Sequence, residues 1–347
     1  MPHKYSVILG NLGNTRDRFC RGYKDNPPTL DMLRTAAAIP HVEGIELVGT
    51  WDVQPESASE MRKVMKDLGK RCVSVIPDLF SNNLYWKGSY SSSDAKVRRQ
   101  AVDYTRSMCD VAQEMGCQLL NIWPGQDGYD YLLSADYDAA RSWFRDCMAE
   151  LAAAYPRLRF ALEYKPKEPR CRSYLATMAD TLLMCLETRC DNVGVCIDTG
   201  HSFVAQESVG EAIVLAKRAG GGYPGTAGRL FHMHFNDNHG SWDDDMIVGT
   251  VHSTTYLETL YWLDRCGYRE WLSMDQYPYR EDAAGAIGES ILWLTQFNAM
   301  VQQHRAAIDK IVASGDAVTT SRFLRNVLMG KASWGASTQT PRSGEVA

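Results

Sequence analysis

Eight short apolar runs rich in Val, Ile and Leu alternate with longer segments of helical period along most of this chain. They occupy residues 5–9, 44–48, 72–76, 118–122, 158–162, 193–197, 230–235 and 270–274. Near-continuous apolarity marks strands buried on both faces, and parallel strands need a helix-length crossover between them. Eight such units predict a closed (β/α)8 barrel, a fold that routinely takes more than about 200 residues. The competing doubly wound sheet would carry a glycine-rich phosphate loop after its first strand. Gly10-Asn11-Leu12-Gly13 is only a faint echo of one. Helices are expected over 30–38 (with Thr29 as N-cap), 56–68, 94–115 (closed by Gly116), 136–154, 178–187, 208–218 and 254–266. Past the eighth unit come a helix from 283 towards 312, a helical piece at 320–329 and a polar tail from Ser333. The expected division is a barrel over 1–300 and a helical extension over 301–347. Ile308, Ile311, Val312, Phe323, Leu324, Val327 and Leu328 recur at helical spacing in that extension and need cover. They predict a homo-oligomer, a dimer or tetramer.

Function in such a barrel sits at the carboxyl ends of the strands. The apolar runs place Asp78 at the third of these ends, Glu163 and Lys165 at the fifth, Asp198 and His201 at the sixth, His234 at the seventh and Asp275 at the eighth. Residues two apart in an extended strand share a face, so Glu163 and Lys165 look into one space. By themselves they fit either a hard metal ion beside a substrate oxygen or a structural ion pair. Acids and imidazoles finishing several successive buried strands favour the first, because converging carboxylates repel unless a cation lies between them. Oxygen-rich ligation points to Mg²⁺, Mn²⁺ or Co²⁺, one or two ions per subunit, rather than structural zinc. The loop after the seventh strand, Trp242-Asp243-Asp244-Asp245, is either a solvated acidic turn or a source of further ligands: Asp243 and Asp245 could hold a second cation with Asp198 and His201. Trp123 and the loop carrying Trp86 would wall the site and exclude water, with Asp78 and His201 also touching substrate; Trp51 reads as core packing.

Composition bounds the partners. The net charge is −5, from 37 basic and 42 acidic residues. That balance provides no basic surface for nucleic acid or membrane. No apolar run approaches membrane-spanning length, and the first residues lack the apolar stretch of a secretion signal. The 10 cysteines show no C-x-x-C spacing and several lie inside strand-like runs, which predicts reduced, buried thiols and a cytoplasmic protein.

These residues resemble xylose isomerase. Glu163-Tyr-Lys165-Pro-Lys-Glu-Pro-Arg170 is similar to its Glu-Pro-Lys-Pro-Asn-Glu-Pro-Arg signature. Asp198-Thr-Gly-His201 resembles its acid-x-x-His step, Trp242-Asp-Asp-Asp245 its Trp-Asp-x-Asp loop, Met274-Asp275-Gln-Tyr-Pro278-Tyr-Arg280 its Phe-Asp-x-x-Pro-x-Arg segment, and Trp123-Pro-Gly-Gln-Asp-Gly128 its Trp-Gly-Gly-Arg-Glu-Gly loop. The islands occur in the family's order across residues 5–300. His234 stands where xylose isomerase has an aspartate, a substitution that looks more like the L-rhamnose isomerase branch. No histidine stands near Ile76-Pro77-Asp78, where the family keeps its ring-opening histidine.

The resemblance implies one metal site of Glu163, Asp198, His234 and Asp275, and a second of Asp198, His201, Asp243 and Asp245. Lys165 would then contact the C1 oxygen. The leading expectation is a metal-dependent aldose–ketose isomerase acting on a small sugar, with Lys165, Glu163 and Asp275 catalytic. The alternative is a ketose 3-epimerase of the same superfamily using Glu163 and Asp275 as acid and base, which leaves Lys165 and the Asp243/Asp245 loop without a task. A metal nuclease is disfavoured by the missing basic surface, and a non-catalytic sugar-binding barrel by the size of the ligand set.

Overall fold

Strands β1 (Lys4–Ile8), β2 (Val42–Val48), β3 (Arg71–Ile76) and β4 (Leu119–Ile122) are followed by a short strand β5 (Gly128–Tyr129). Then come β6 (Arg159–Glu163), a second short strand β7 (Arg172–Ser173), β8 (Val193–Asp198), β9 (Leu230–Phe235) and β10 (Trp271–Met274). In this computed structural model, which describes residues 3–13 and 19–330, the eight longer strands close into a barrel of order β1-β10-β9-β8-β6-β4-β3-β2. Every neighbouring pair is parallel. The strands lie within a residue or two of the apolar runs, because burial on both faces is what both report. β5 and β7 form a separate antiparallel ribbon above the barrel. The polar tail expected from Ser333 lies outside the described residues.

Helices α1 (Thr29–Ala38), α2 (Ala58–Asp67), α3 (Ala95–Met115), α4 (Tyr137–Ala154) and α5 (Met178–Glu187) fill the first five crossovers. The short α6 (Thr199–Val204), then α7 (Val209–Arg218) and α8 (Ser253–Cys266), follow β8 and β9. Caps set the boundaries: Asp94 accepts from Lys96 N, Asp136 from Ala139 N and Thr177 from Asp180 N, while Gly116 closes α3 in the left-handed region at φ 75°. Thr29 does not cap α1. It is the first helical residue, and Pro28 holds the cap position without a side-chain acceptor.

The chain divides into two compact units, Met1–Asn298 and Ala299–Ala347. The first holds the barrel. The second holds the end of α9 (Ala283–Ser314) and α10 (Ala317–Met329), where His304 and Phe323 meet edge to face with centroids 5.7 Å apart. Among the described residues no helix is long and apolar enough to cross a membrane.

Candidate metal centre

Asp198 shows how the sequence builds the site locally. It is the last residue of β8 and also the N-cap of α6, its Oδ1 accepting from His201 N at 2.9 Å. Strand therefore turns into helix on the carboxylate itself, and His201 is delivered one turn later. The turn is tight: a Cβ on Gly200 would run into the Asn236 carboxamide and stand 2.8 Å from Asp243 Oδ1. The space goes to the Asn236 carboxamide, whose Oδ1 faces Gly200 and whose Nδ2 donates to both Asp198 oxygens at 3.1 and 2.9 Å. Strand register does the rest, setting Asp198 beside His234 and Ser273 beside His234.

The four residues expected at the first metal site come together. Ligand atoms of Glu163, Asp198, His234 and Asp275 all lie within 4.8 Å of one another. His234 Nδ1 is 3.4 Å from Glu163 Oε2 and 3.2 Å from Asp275 Oδ2, yet it makes no well-directed hydrogen bond. Asn121 Nδ2 donates to Glu163 Oε2 at 2.6 Å and Asn11 Nδ2 to Asp275 Oδ1 at 3.3 Å. Three of the four residues of the second set, Asp198, His201 and Asp243, form another cluster sharing Asp198. His201 Nε2 is 3.0 Å from Asp243 Oδ2, and its buried Nδ1 lacks a hydrogen-bond partner. Asp245 lines the same cavity outside that cluster, at φ 51°.

The charges in this space are strongly coupled. Burial pushes Asp198 up to about 7, with Asp243, Glu163 and Asp275 adding to the shift against the pull of His201. Burial, with Asp243, Asp275 and Asp198 adding against the pull of Lys165, holds Asp245 well above the carboxylate range. Burial would also raise Glu163, but His234, His201 and Asn121 bring it down to about 2. Against burial, Asp198 and Asp243 lift His201 to about 9. Two acids thus keep protons and imidazoles acquire them, as a cluster built around positive charge does in a cation's stead. Orphaned His234 Nδ1 and His201 Nδ1 aimed among carboxylates fit a divalent cation with nitrogen and oxygen ligands.

Lys165 Nζ is 2.9 Å from Asp243 Oδ2 and 3.0 Å from Glu168 Oε2, and 5.3 Å from the centre of the Trp123 ring. Those carboxylates raise its pKa well above the usual value despite burial. The cavity above the cluster has a volume of about 430 Å³. Its apolar wall is Trp123, Phe80, Trp51, Ile8, Val48 and Ile76, with Phe80 packed against Trp123 at 4.7 Å and Trp51 at 5.6 Å.

Two residues expected to touch substrate stand away from this cavity. Trp86 is 65% exposed and does not line this cavity, and Trp51, expected in the core, takes the wall position. Asp78 is buried and turned to its own loop, accepting from Thr50 Oγ1 at 2.6 Å, Trp51 Nε1 at 3.1 Å and both Ser81 N and Oγ. It holds Trp51 in place and does not face the cavity. Sequence reasoning missed Glu46, whose carboxylate meets His232 and His234, and the asparagines 11, 121 and 236 that orient the acids. A lone charge inside the apolar run at 44–48 was the available signal for Glu46.

Known proteins similar to this chain include the xylose isomerase of Thermus thermophilus, 28% identical over 300 residues that cover 82% of this chain and 75% of that one. Among solved structures, an L-ribulose 3-epimerase superposes with a TM-score of 0.69 at 15% identity, covering 88% of this chain and 98% of its own. A D-psicose 3-epimerase studied in the presence of D-fructose gives 0.64 at 15% identity, with 86% and 98% covered. Structural likeness at such identity speaks to the barrel. The profile that matches residues 33–297, from α1 into α9, is that of the xylose isomerase-like TIM barrel, and a match over so much of the chain makes this protein a member of that family.

Proposed function

We propose that this protein is a metal-dependent sugar isomerase/epimerase, and that the reaction its site supports best is epimerisation of a ketose at C3, with Glu163 and Asp275 as the acid–base pair. This reverses the order of preference reached from sequence. The observation that carries it is the placement of the two carboxylates. Glu163 ends β6 and Asp275 follows β10, strands separated by β8 and β9, so the groups approach His234 from opposite sides. The names of the two structural neighbours, both ketose 3-epimerases, support the same reading. Lys165 and Asp243, which sequence reasoning could employ only in an isomerase, are each other's partner at 2.9 Å and so have a task as a neutral pair on the cavity wall.

A divalent cation held by Glu163, Asp198, His234 and Asp275 would supply fixed positive charge against the negative charge that develops on the substrate's carbonyl and hydroxyl oxygens. Within that frame one carboxylate removes the C3 proton from one face of the ketose. The other, arriving protonated, returns a proton to the opposite face. The carbon is inverted, no electrons leave the sugar, and the two groups end with their protons exchanged. Asn121 and Asn11 fix the two carboxylates in rotation, while Trp123, Phe80 and Trp51 keep bulk water from the reacting carbon.

Aldose–ketose isomerisation is the second reading. It is favoured by the Asp198, His201 and Asp243 cluster with Lys165 alongside, and by the name of the relative in Thermus thermophilus. The deciding experiment incubates Mn²⁺-, Co²⁺- or Mg²⁺-loaded protein with a panel of aldoses and ketoses in D₂O and analyses the products. C3 epimers with deuterium at C3 are the expected result. Aldose–ketose conversion with C3 unlabelled would transfer the assignment to the isomerase. Full turnover after EDTA treatment would overturn metal dependence altogether.

A further inference from the structure

One buried group enters neither scheme. Glu46, in the middle of β2, is fully buried, as are His232 and His234 on β9. The two histidines are two residues apart and therefore share the barrel-facing side of their strand. Their rings meet edge to face with centroids 4.9 Å apart. The carboxylate bridges them: Oε1 accepts from His232 Nε2 at 2.8 Å, and Oε2 accepts from His234 Nε2 at 3.4 Å and from Ser74 Oγ. A buried carboxylate is tolerated only when such donors satisfy it, and three donors on two oxygens leave it no freedom to rotate.

The consequence falls on His234. A neutral imidazole has one N–H and one lone pair, and the partner of the first decides where the second points. With Nε2–H committed to Glu46, the lone pair of His234 is on Nδ1. That atom has no hydrogen-bond partner and lies 3.2 to 3.4 Å from Asp275 and Glu163. We propose that Glu46 is a positioning residue for the metal centre, fixing the tautomer and ring orientation that present His234 Nδ1 to the cation. The inference rests on the metal-dependent reading above. A carboxylate behind a ligating histidine typically changes metal affinity by about 10- to 100-fold.

The test compares wild type, Glu46→Gln and Glu46→Leu, each folded by circular dichroism. Mn²⁺ affinity is followed by titration, and the visible spectrum is recorded in the Co²⁺-loaded protein. A glutamine oxygen can still accept from Nε2 whereas leucine cannot. The expected dissociation constants therefore rise by about tenfold in Glu46→Gln and about a hundredfold in Glu46→Leu, with shifted Co²⁺ bands. Lower thermal stability with both dissociation constants within twofold of wild type and unchanged bands would make Glu46 merely structural and overturn the proposal. Should the variants not fold, ¹⁵N-histidine spectra of Zn²⁺-loaded wild type decide. The ring whose Nδ1 shifts on loading must then carry its proton on Nε2, slowly exchanging, and a metal-loaded His234 that keeps its proton on Nδ1 would overturn the proposal. Wild type that takes up no divalent cation sinks the metal reading and this inference with it. That outcome is distinct from a wild type that binds metal and variants that bind it equally well.

Discussion

Cation affinity should depend steeply on pH below neutrality, and the sign and size follow from the site. A metal ligand must shed its proton to bind, so cation and proton compete and raising the pH strengthens binding. Asp198, shared by both clusters, holds its proton up to about pH 7 because it is buried among Asp243, Glu163 and Asp275. Competition from one such group weakens binding by a factor of about 1 + 10^(7 − pH), roughly 2 at pH 7 and 100 at pH 5. The dissociation constant should therefore rise about 50-fold between pH 7 and pH 5 from Asp198 alone. His234 adds to this: burial would lower its pKa, but Cys196, Glu163 and Glu46 hold it well above the ordinary imidazole value. Its own proton must also leave, so the roughly 50-fold loss between pH 7 and pH 5 is a lower limit. Isothermal titration with Mn²⁺ at pH 5, 6 and 7, in two buffers of different ionisation enthalpy, measures both affinity and protons released. At least one proton per cation is expected at pH 6. A dissociation constant constant to within threefold across that range, with no proton release, would refute the reasoning.

Replacing Lys165 by Met removes the ammonium between Asp243 and Glu168 and leaves the buried Asp243 to His201 and Asn238; metal-free stability should fall by about 3 kcal/mol in chemical denaturation, the scale for breaking a buried pair. Asp245→Asn separates the two reactions. An epimerase should lose little turnover because Asp245 stands outside both clusters, whereas an isomerase with a second cation should lose most of it. Truncation after Ser314 should lower the mass seen by light scattering, since the stripe through Phe323, Leu324, Val327 and Leu328 goes with α10; an unchanged mass would remove that helix from any assembly.

The barrel was legible because strands buried on both faces leave apolar runs that no other element of a parallel sheet imitates. Their ends located Glu163, Asp198, His234 and Asp275 for the same reason: a charge at the close of such a run has nowhere to point except the barrel mouth. Direction along a loop was harder. Asp78 lies one residue beyond a proline at a strand end, as an active-site acid could, but its turn folds it back onto Thr50, Trp51 and Ser81. Trp51 and Trp86 differ in exposure for reasons set by loop path rather than by residue type. Asn121 and Asn236 act across strands that are distant in sequence, and pairing of that kind leaves no local signature; Glu46 showed only as a lone charge in an apolar run, with nothing local to name its partners.

Asp127 joins what the chain order keeps apart. It is buried, and its carboxylate accepts from Ser89 N at 3.0 Å, Ser91 N at 2.6 Å and Ser89 Oγ. Its carbonyl accepts from Tyr174 N at 3.1 Å, and the neighbouring Gln126 Nε2 donates to Phe80 O at 2.8 Å. The loops after β3, β4 and β6 are thereby stitched into a single rim, with the β5–β7 ribbon as its hem. Barrel enzymes usually acquire new substrates by exchanging one loop while the others stand unaltered. Here a length change in any of the three would pull on the other two, so new specificity is more accessible through side chains such as Trp51, Trp123 and Tyr277 than through loop grafts. Mechanically the rim behaves as one piece instead of three.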